Sequence, residues 1–176
     1  MSQKADWTAD DPFEVCRFSA VHLELRDIYG VPGEAERFEL FQQTGRRDPE
    51  LDREKRAGWM TLVRDMVARG VVVRRARVVS EPVTDYIRFE HAGTEDNLNA
   101  GELVRWLPRR QAADLLLPAA DLWMFDDEAV QFTFFSGDGQ VVDREWCLDQ
   151  KQVEAIRSVF ETVWERATPH EQYKLH

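Results

Sequence analysis

Nine residues limit this chain more than any others: Val71 to Val79, VVVRRARVV, directly after Gly70. A β-branched run followed by Arg74, Arg75 and Arg77 alternating with Ala76 and Val78 has the period of a half-buried strand. Ser80-Glu81-Pro82 ends it, because proline biases the preceding residue away from helix and is tolerated in a first helical turn. Val83, Tyr86, Ile87 and Glu90 then recur at helical spacing, with Ser80 as the expected N-cap and Asp85 near the positive end of the dipole. The helical pattern fades in Gly93-Thr94-Glu95-Asp96-Asn97. A second strand follows at Glu102–Leu107, stopped by Pro108, and a third at Leu122–Asp126. Strand, helix, strand in this order predicts a parallel βαβ unit, whose crossover is normally right-handed.

The flanks supply the rest of an α/β fold. Asp11-Pro12 is read as the start of a short helix. Val21, Leu23 and Leu25 alternate with His22, Glu24 and Arg26 as a strand, and Gly30-Val31-Pro32-Gly33 reads as a turn. Glu34–Gln43 is helical and closes at Gly45. A long amphipathic helix carries Trp59, Leu62, Val63, Met66 and Val67 on one stripe and closes at Gly70, with the charged stretch ELDREKRAG expected to face solvent. Val130, Phe132 and Phe134, then Ser136-Gly137-Asp138-Gly139, then Val141 to Trp146, read as an antiparallel hairpin. Asp149 caps a terminal helix with Val153, Ile156, Phe160, Val163 and Trp164 on one face, ended by Pro169. The expected fold is a single α/β domain over residues 12–170, with a mixed sheet flanked by helices: a parallel central βαβ unit plus a C-terminal antiparallel hairpin. Residues 1–11 are expected to form a flexible arm, with Trp7 docking on the body or on a partner, and residues 171–176 a polar tail.

Charge narrows the function classes. The chain has 23 basic and 33 acidic residues, a formal net charge of −10. Such a chain repels phosphates at long range, so direct binding to nucleic acid or to an anionic membrane is not expected. No apolar run approaches the ~20 residues of a membrane span and no signal peptide is visible, so a cytoplasmic protein is expected. Cys16 and Cys147 make neither a disulfide framework nor a metal site and read as reduced, partly buried thiols.

No catalytic motif emerges. The strand-to-helix junction at Ser80-Glu81-Pro82 lacks the clustered glycines of a phosphate-cradling loop, and no serine sits in a GxSxG frame. His22, His91, His170 and His176 do not pair at helical spacing, so neither a metal nor another cofactor is expected. The strongest chemical signal is arginine. Residues 70–110 hold seven arginines against six acids, leaving the centre near neutral between acidic flanks. Arg75, Arg77, Arg88 and Arg105 suit a phosphate or carboxylate, with Glu90 or His91 handling protons. The same arginines are equally open to structural pairing with Glu90 and Glu102. Trp106, Trp123, Phe125, Phe132 and Phe134 lie at strand spacing as core or interface; a base-stacking platform would carry positive charge.

The segments HLELRDIY, RRARVVSEPVTDYIRFEH, NAGELVRWLPR, DLWMFDD and VWERATPHEQY together resemble the actinobacterial DUF6879 family, a domain of unknown function, from about Phe13 to Tyr173. That resemblance implies genes neighbouring helix-turn-helix regulators and small companion proteins, and carries no assigned activity. The order of elements is also similar to half of a phospholipase D-like domain. That superfamily uses His-x-Lys followed four residues later by Asp. Here His22 is followed by Leu-Glu, His91 by Ala-Gly and His170 by Glu-Gln, so the resemblance implies a scaffold without its active site.

Two functions are carried forward. The first is a non-enzymatic binding or regulatory protein, partner of a helix-turn-helix transcription regulator through its acidic surface, Trp7 or the tail; a toxin- or antitoxin-like component shares this expectation. The second is a small-anion binding protein or enzyme built on Arg75, Arg77, Arg88, Glu90, His91, Glu102 and Arg105. A homodimer through edge strands bearing Phe132 and Phe134 is compatible with either.

Overall fold

A computed structural model describes residues 5–31 and 33–176. Asp11 accepts the Phe13 amide to cap α1 (Pro12–Val15), and β1 (Ser19–Glu24) follows. Then come α2 (Ala35–Thr44), α3 (Pro49–Ala68), β2 (Val72–Val79), α4 (Asp85–Ala100) and β3 (Leu103–Pro108). A 3₁₀ turn at Arg109–Ala112 leads to β4 (Asp121–Phe125), β5 (Ala129–Phe135), β6 (Val141–Cys147), α5 (Gln150–Arg166) and the two-residue β7 (Thr168–Pro169). The strands form one seven-stranded mixed sheet in the order β6-β5-β4-β1-β2-β3-β7. β1, β2 and β3 are mutually parallel, and every other pairing is antiparallel. The expected α/β fold, with its parallel βαβ centre and its antiparallel hairpin, is present.

Several local expectations change. Thr84, not Ser80, caps α4 by accepting the Ile87 amide, while the Ser80 hydroxyl donates to Asp27. α4 does not fade at Gly93 but runs to Ala100 and closes at Gly101, which takes φ 98°. Gly93 stays because a side chain there would collide with Arg47: a Cβ would lie 2.5 Å from the guanidinium carbon. β2 is buried on both faces, so the arginine-rich strand is interior, not half-exposed. The charged start of α3 does not simply face solvent. Asp52 is buried and pairs with Arg37 and Arg47, while Arg56 bonds the Gly93 carbonyl and Asp96 across α4. Phe132 and Phe134 lie on β5, which β6 covers, so the edge strand is β6.

Trp7 is 5% exposed and stacks on Phe125 at 6.0 Å, so it docks on the body and is not an exposed anchor. The tail is also fastened down: Tyr173 stacks on Trp106 at 5.6 Å and donates to Glu81, and the His176 carbonyl accepts from the Val83 amide. The expected arm at 1–11 and the turn at Gly30–Gly33 extend onto Met1 to Lys4 and Pro32, outside the described residues. The turn between β4 and β5 places Asp126 and Asp127 at φ 51° and 56°. Asp126 thereby aims its carboxylate at three backbone amides, those of Arg17, Phe18 and Ser19, at 2.7–2.9 Å. Asp126, whose own amide also donates to the Ser19 carbonyl, thus fixes the entry to β1.

The two faces of the sheet differ. Toward α5, Val21, Leu23, Ala76, Val78, Leu122 and Met124 join Phe160 and Val163 in one apolar cluster. Toward α3 and α4 there are two clusters, one with Val73, Met66 and Phe125 and one with Val79, Phe89 and Trp106. Along β2, Arg75 and Arg77 fall between Val73 and Val79.

Candidate functional site: an ionised pocket on the α3/α4 face

Strand alternation decides what reaches this face. In β1 it brings His22 and Glu24, in β2 Arg75 and Arg77, in β4 Asp121 and Trp123, and in β5 Gln131, Thr133 and Phe135. Parallel pairing sets His22 beside Arg75 and Glu24 beside Arg77. His22, Glu24, Arg75, Asp121, Trp123, Gln131, Thr133 and Phe135 help line a pocket of about 640 Å³, closed at its sides by Phe13, Tyr29, Glu34, Tyr86 and Glu90.

Its floor is an ion-pair network. Arg75 donates through Nε to Glu102 and through Nη1 to Glu24, each at 2.6 Å. Arg77 donates to Glu90 at 2.7 Å, and its Nε lies 2.8 Å from Glu24 at an angle too poor for a hydrogen bond, leaving a purely ionic contact. Asn97 donates to the other Glu102 oxygen at 2.6 Å. Burial works against the charge on both arginines; on Arg75 the carboxylates of Glu102 and Glu24 outweigh it, and on Arg77 those of Glu24 and Glu90, so both pKa values rise. Two guanidinium groups thus face three carboxylates.

Two further acids on the wall have neutral phenols as their nearest donors. Tyr29 donates a very short hydrogen bond to Asp121, and Tyr86 donates to Glu34 at 2.6 Å. The two tyrosine rings are neighbours, 5.9 Å apart. Burial pushes the Asp121 carboxyl up to about 6, against the lowering effect of the Tyr29 bond. Burial and the charge of Glu90 also raise Glu34, although Arg37 comes within 3.3 Å of it. Arg37 is shared with Asp52 at 3.2 Å. His22 stacks on Trp123 at 4.2 Å; burial and the Arg75 charge hold it well below the usual histidine pKa, so it is neutral. Its Nδ1 is buried and has no hydrogen-bond partner.

The seven residues singled out by sequence separate here. Arg75, Arg77, Glu90 and Glu102 come together, and Glu102 is fully buried. Arg88 points outward on α4 and is exposed. Arg105 lies on the α5 face, donating to the Trp164 carbonyl at 2.8 Å with its guanidinium 4.5 Å from the Trp164 ring centre. His91 belongs to a separate cluster with His170, its ring 4.4 Å away, and Trp106. Sequence reading missed His22, Glu24, Glu34, Tyr29, Tyr86 and Asp121. The strand HLELRD did carry a signal, since His22 and Glu24 alternate with core leucines. Among the described residues, no group of three His, Cys, Asp or Glu side chains is placed to hold a metal ion. No helix among them is long and apolar enough to cross a membrane.

No curated protein matches the chain. Among solved structures, the chain is similar to TrmBL2, an archaeal chromatin protein described as showing a novel mode of DNA binding. The identity is 14% and the TM-score 0.48, over 89% of this chain and 46% of that one, so this chain spans about half of that protein. The family model described as a domain of unknown function, DUF6879, matches residues 8–175, nearly the whole chain. With that extent of match, the chain belongs to the DUF6879 family.

Proposed function

We propose that the chain is a non-enzymatic binding protein, the partner of a helix-turn-helix transcription regulator, with the pocket on the α3/α4 face as its recognition site. The observation that carries this reading is the locked floor. Arg75 and Arg77 spend their donors on Glu24, Glu90 and Glu102, so nothing there is poised to attack a substrate or to accept an incoming anion. The thiol nearest this side, Cys16, is pushed by burial up to about 11, far from a reactive thiolate. A preformed concavity of a few hundred Å³ with aromatic walls and a few convergent polar groups is the usual form of a ligand site.

A phospholipase D-like ancestry fits this reading. On β1, Glu24 stands where a His-x-Lys strand starting at His22 would carry its lysine. The small-anion alternative has weaker support, because an anion would have to displace a carboxylate from each arginine at a cost of several kcal/mol. The partner reading is tested by co-purifying the chain with any helix-turn-helix regulator found among its neighbouring genes, in parallel with a Thr133→Trp variant that fills the pocket. A complex at micromolar concentration that weakens in the variant is expected. Equal capture by both forms moves recognition elsewhere on the surface, and no capture by either removes the partner.

A further inference from the structure

We infer that the pocket on the α3/α4 face takes a positively charged group, a protonated alkylamine or a guanidinium. This deepens the binding reading and rests on it. The first argument is charge. Five carboxylates line the pocket (Asp11, Glu24, Glu34, Glu90 and Asp121) with the guanidiniums of Arg75 and Arg144. Arg77, just behind the lining, pairs with Glu24 and Glu90, and Arg37 reaches Glu34 at 3.3 Å. Among the described residues, the acid deep in the pocket that has no guanidinium within ion-pair distance is therefore Asp121. Arg75 is already shared between Glu24 and Glu102. Asp121 and Glu34 therefore meet the cavity with phenolic hydroxyls as their closest donors. Buried carboxylates in that position are stabilised by an incoming opposite charge within hydrogen-bond reach, which a neutral ligand does not supply and an anion worsens.

The second argument is independent of charge count. The His22 Nδ1 lies 3.5 Å from Oε1 of Glu24, and Oε2 of Glu24 lies 2.8 Å from Nε of Arg77, yet neither contact has hydrogen-bond geometry. A floor carboxylate paired this imperfectly keeps acceptor capacity that a ligand N–H completes by displacing a misaligned contact. The third argument is the wall itself. Trp123, Tyr29, Tyr86 and Phe135 present aromatic rings beside the acids, and a cation near an aromatic face gains about 0.5–2 kcal/mol. Aromatic walls with acids between them suit an organic cation better than a bare metal ion, and the described residues offer no three-ligand cluster for a metal.

The same chemistry has two sources, a free small amine or a lysine or arginine side chain of the protein partner, and the test separates them. Purified protein is titrated calorimetrically with cadaverine and agmatine, with citrate and inorganic phosphate as opposite-charge probes, and with a short peptide bearing one central arginine and its alanine counterpart. Saturable binding of agmatine or cadaverine is expected, with affinity at least tenfold weaker in Asp121→Asn and in Glu34→Gln. Glu34 is the more peripheral of the two, so Glu34→Gln keeps the test decisive should Asp121→Asn fail to fold. Binding of the arginine peptide without the free amines also supports the inference and assigns the cation to a protein side chain. Binding of citrate or phosphate in place of the cations overturns it, while leaving the pocket a recognition site. If neither cations nor anions bind yet Thr133→Trp weakens capture of the regulator, the cation inference falls and the binding reading stands. If none of these responds, both fall.

Discussion

Toward α5, residues from β1, β2, β4 and β5 merge with Phe160 and Val163 into one uninterrupted apolar cluster, whereas toward α3 and α4 the same strands hold two clusters with Arg75 and Arg77 between them. The strand β2 contributes to both, since Ala76 and Val78 look one way and Arg75 and Arg77 the other. One face is held by area removed from water, which is tolerant of detail. The other is held by matched geometry: each guanidinium must find its carboxylates, because an isolated buried charge costs several kcal/mol. A face that depends on matching is where a ligand can complete what the protein leaves unfinished, as at Asp121 and Glu34.

The largest effect is expected from breaking that matching. Glu102→Leu leaves Arg75 with Glu24 alone and strips Asn97 of its acceptor, and should cost about 3–5 kcal/mol in urea unfolding. The double change Arg75→Met with Glu102→Leu should recover more than half of that loss. A double variant as weak as the single one breaks the contrast, because packing would then matter as much there as on the other face. Next is Leu122→Ala in the α5-side cluster, expected to cost about 3 kcal/mol with no paired rescue available.

A smaller effect sharpens the comparison through pH. The Asp121 pKa is raised to about 6 in the folded state from an ordinary 3.8. The folded form then holds its proton longer than the unfolded form does. The stability from this group is complete below about pH 4 and is lost as pH rises through about 6, a change of about 2–3 kcal/mol. His170 slopes the other way. Burial and His91 lower it to about 4, so its contribution is present above about 6.5 and lost as pH falls. Asp121→Asn should remove the first slope and leave the second, read as melting temperature from pH 4 to 7. An unchanged pH profile in that variant would show that Asp121 is solvated like a surface acid. The smallest effect is Thr84→Ala, expected to cost about 1 kcal/mol through loss of the α4 cap, with little change in the pocket.

The unequal faces also explain what was legible in the sequence. Period-two alternation in VVVRRARVV and the turn chemistry at Ser136-Gly137-Asp138-Gly139 are local signals, and both led to the right elements. The α4 helix read too short because Gly93, Thr94 and Asn97 are weak helix formers, yet each is accommodated: Arg47 packs on Gly93, the Thr94 hydroxyl bonds the Glu90 carbonyl one turn back along the helix, and Asn97 bonds Glu102 just past the helix end. The site was legible only within the βαβ unit. Arg75, Arg77, Glu90 and Glu102 are close in sequence and were seen together. Glu24, Glu34 and Asp121 arrive from β1, from the approach to α2 and from β4, and no local pattern reports partners that lie 51, 52 and 92 residues away.

The two cysteines sit on opposite sides of this asymmetry. Cys16 is 1% exposed within the cluster of Val73, Met66 and Phe125, and Cys147 is 9% exposed in the cluster facing α5. Both are free thiols. A thiol reagent reaches either one only when its own side of the sheet opens, so labelling rates followed separately at the two sulfurs give the chain a native clock for each face.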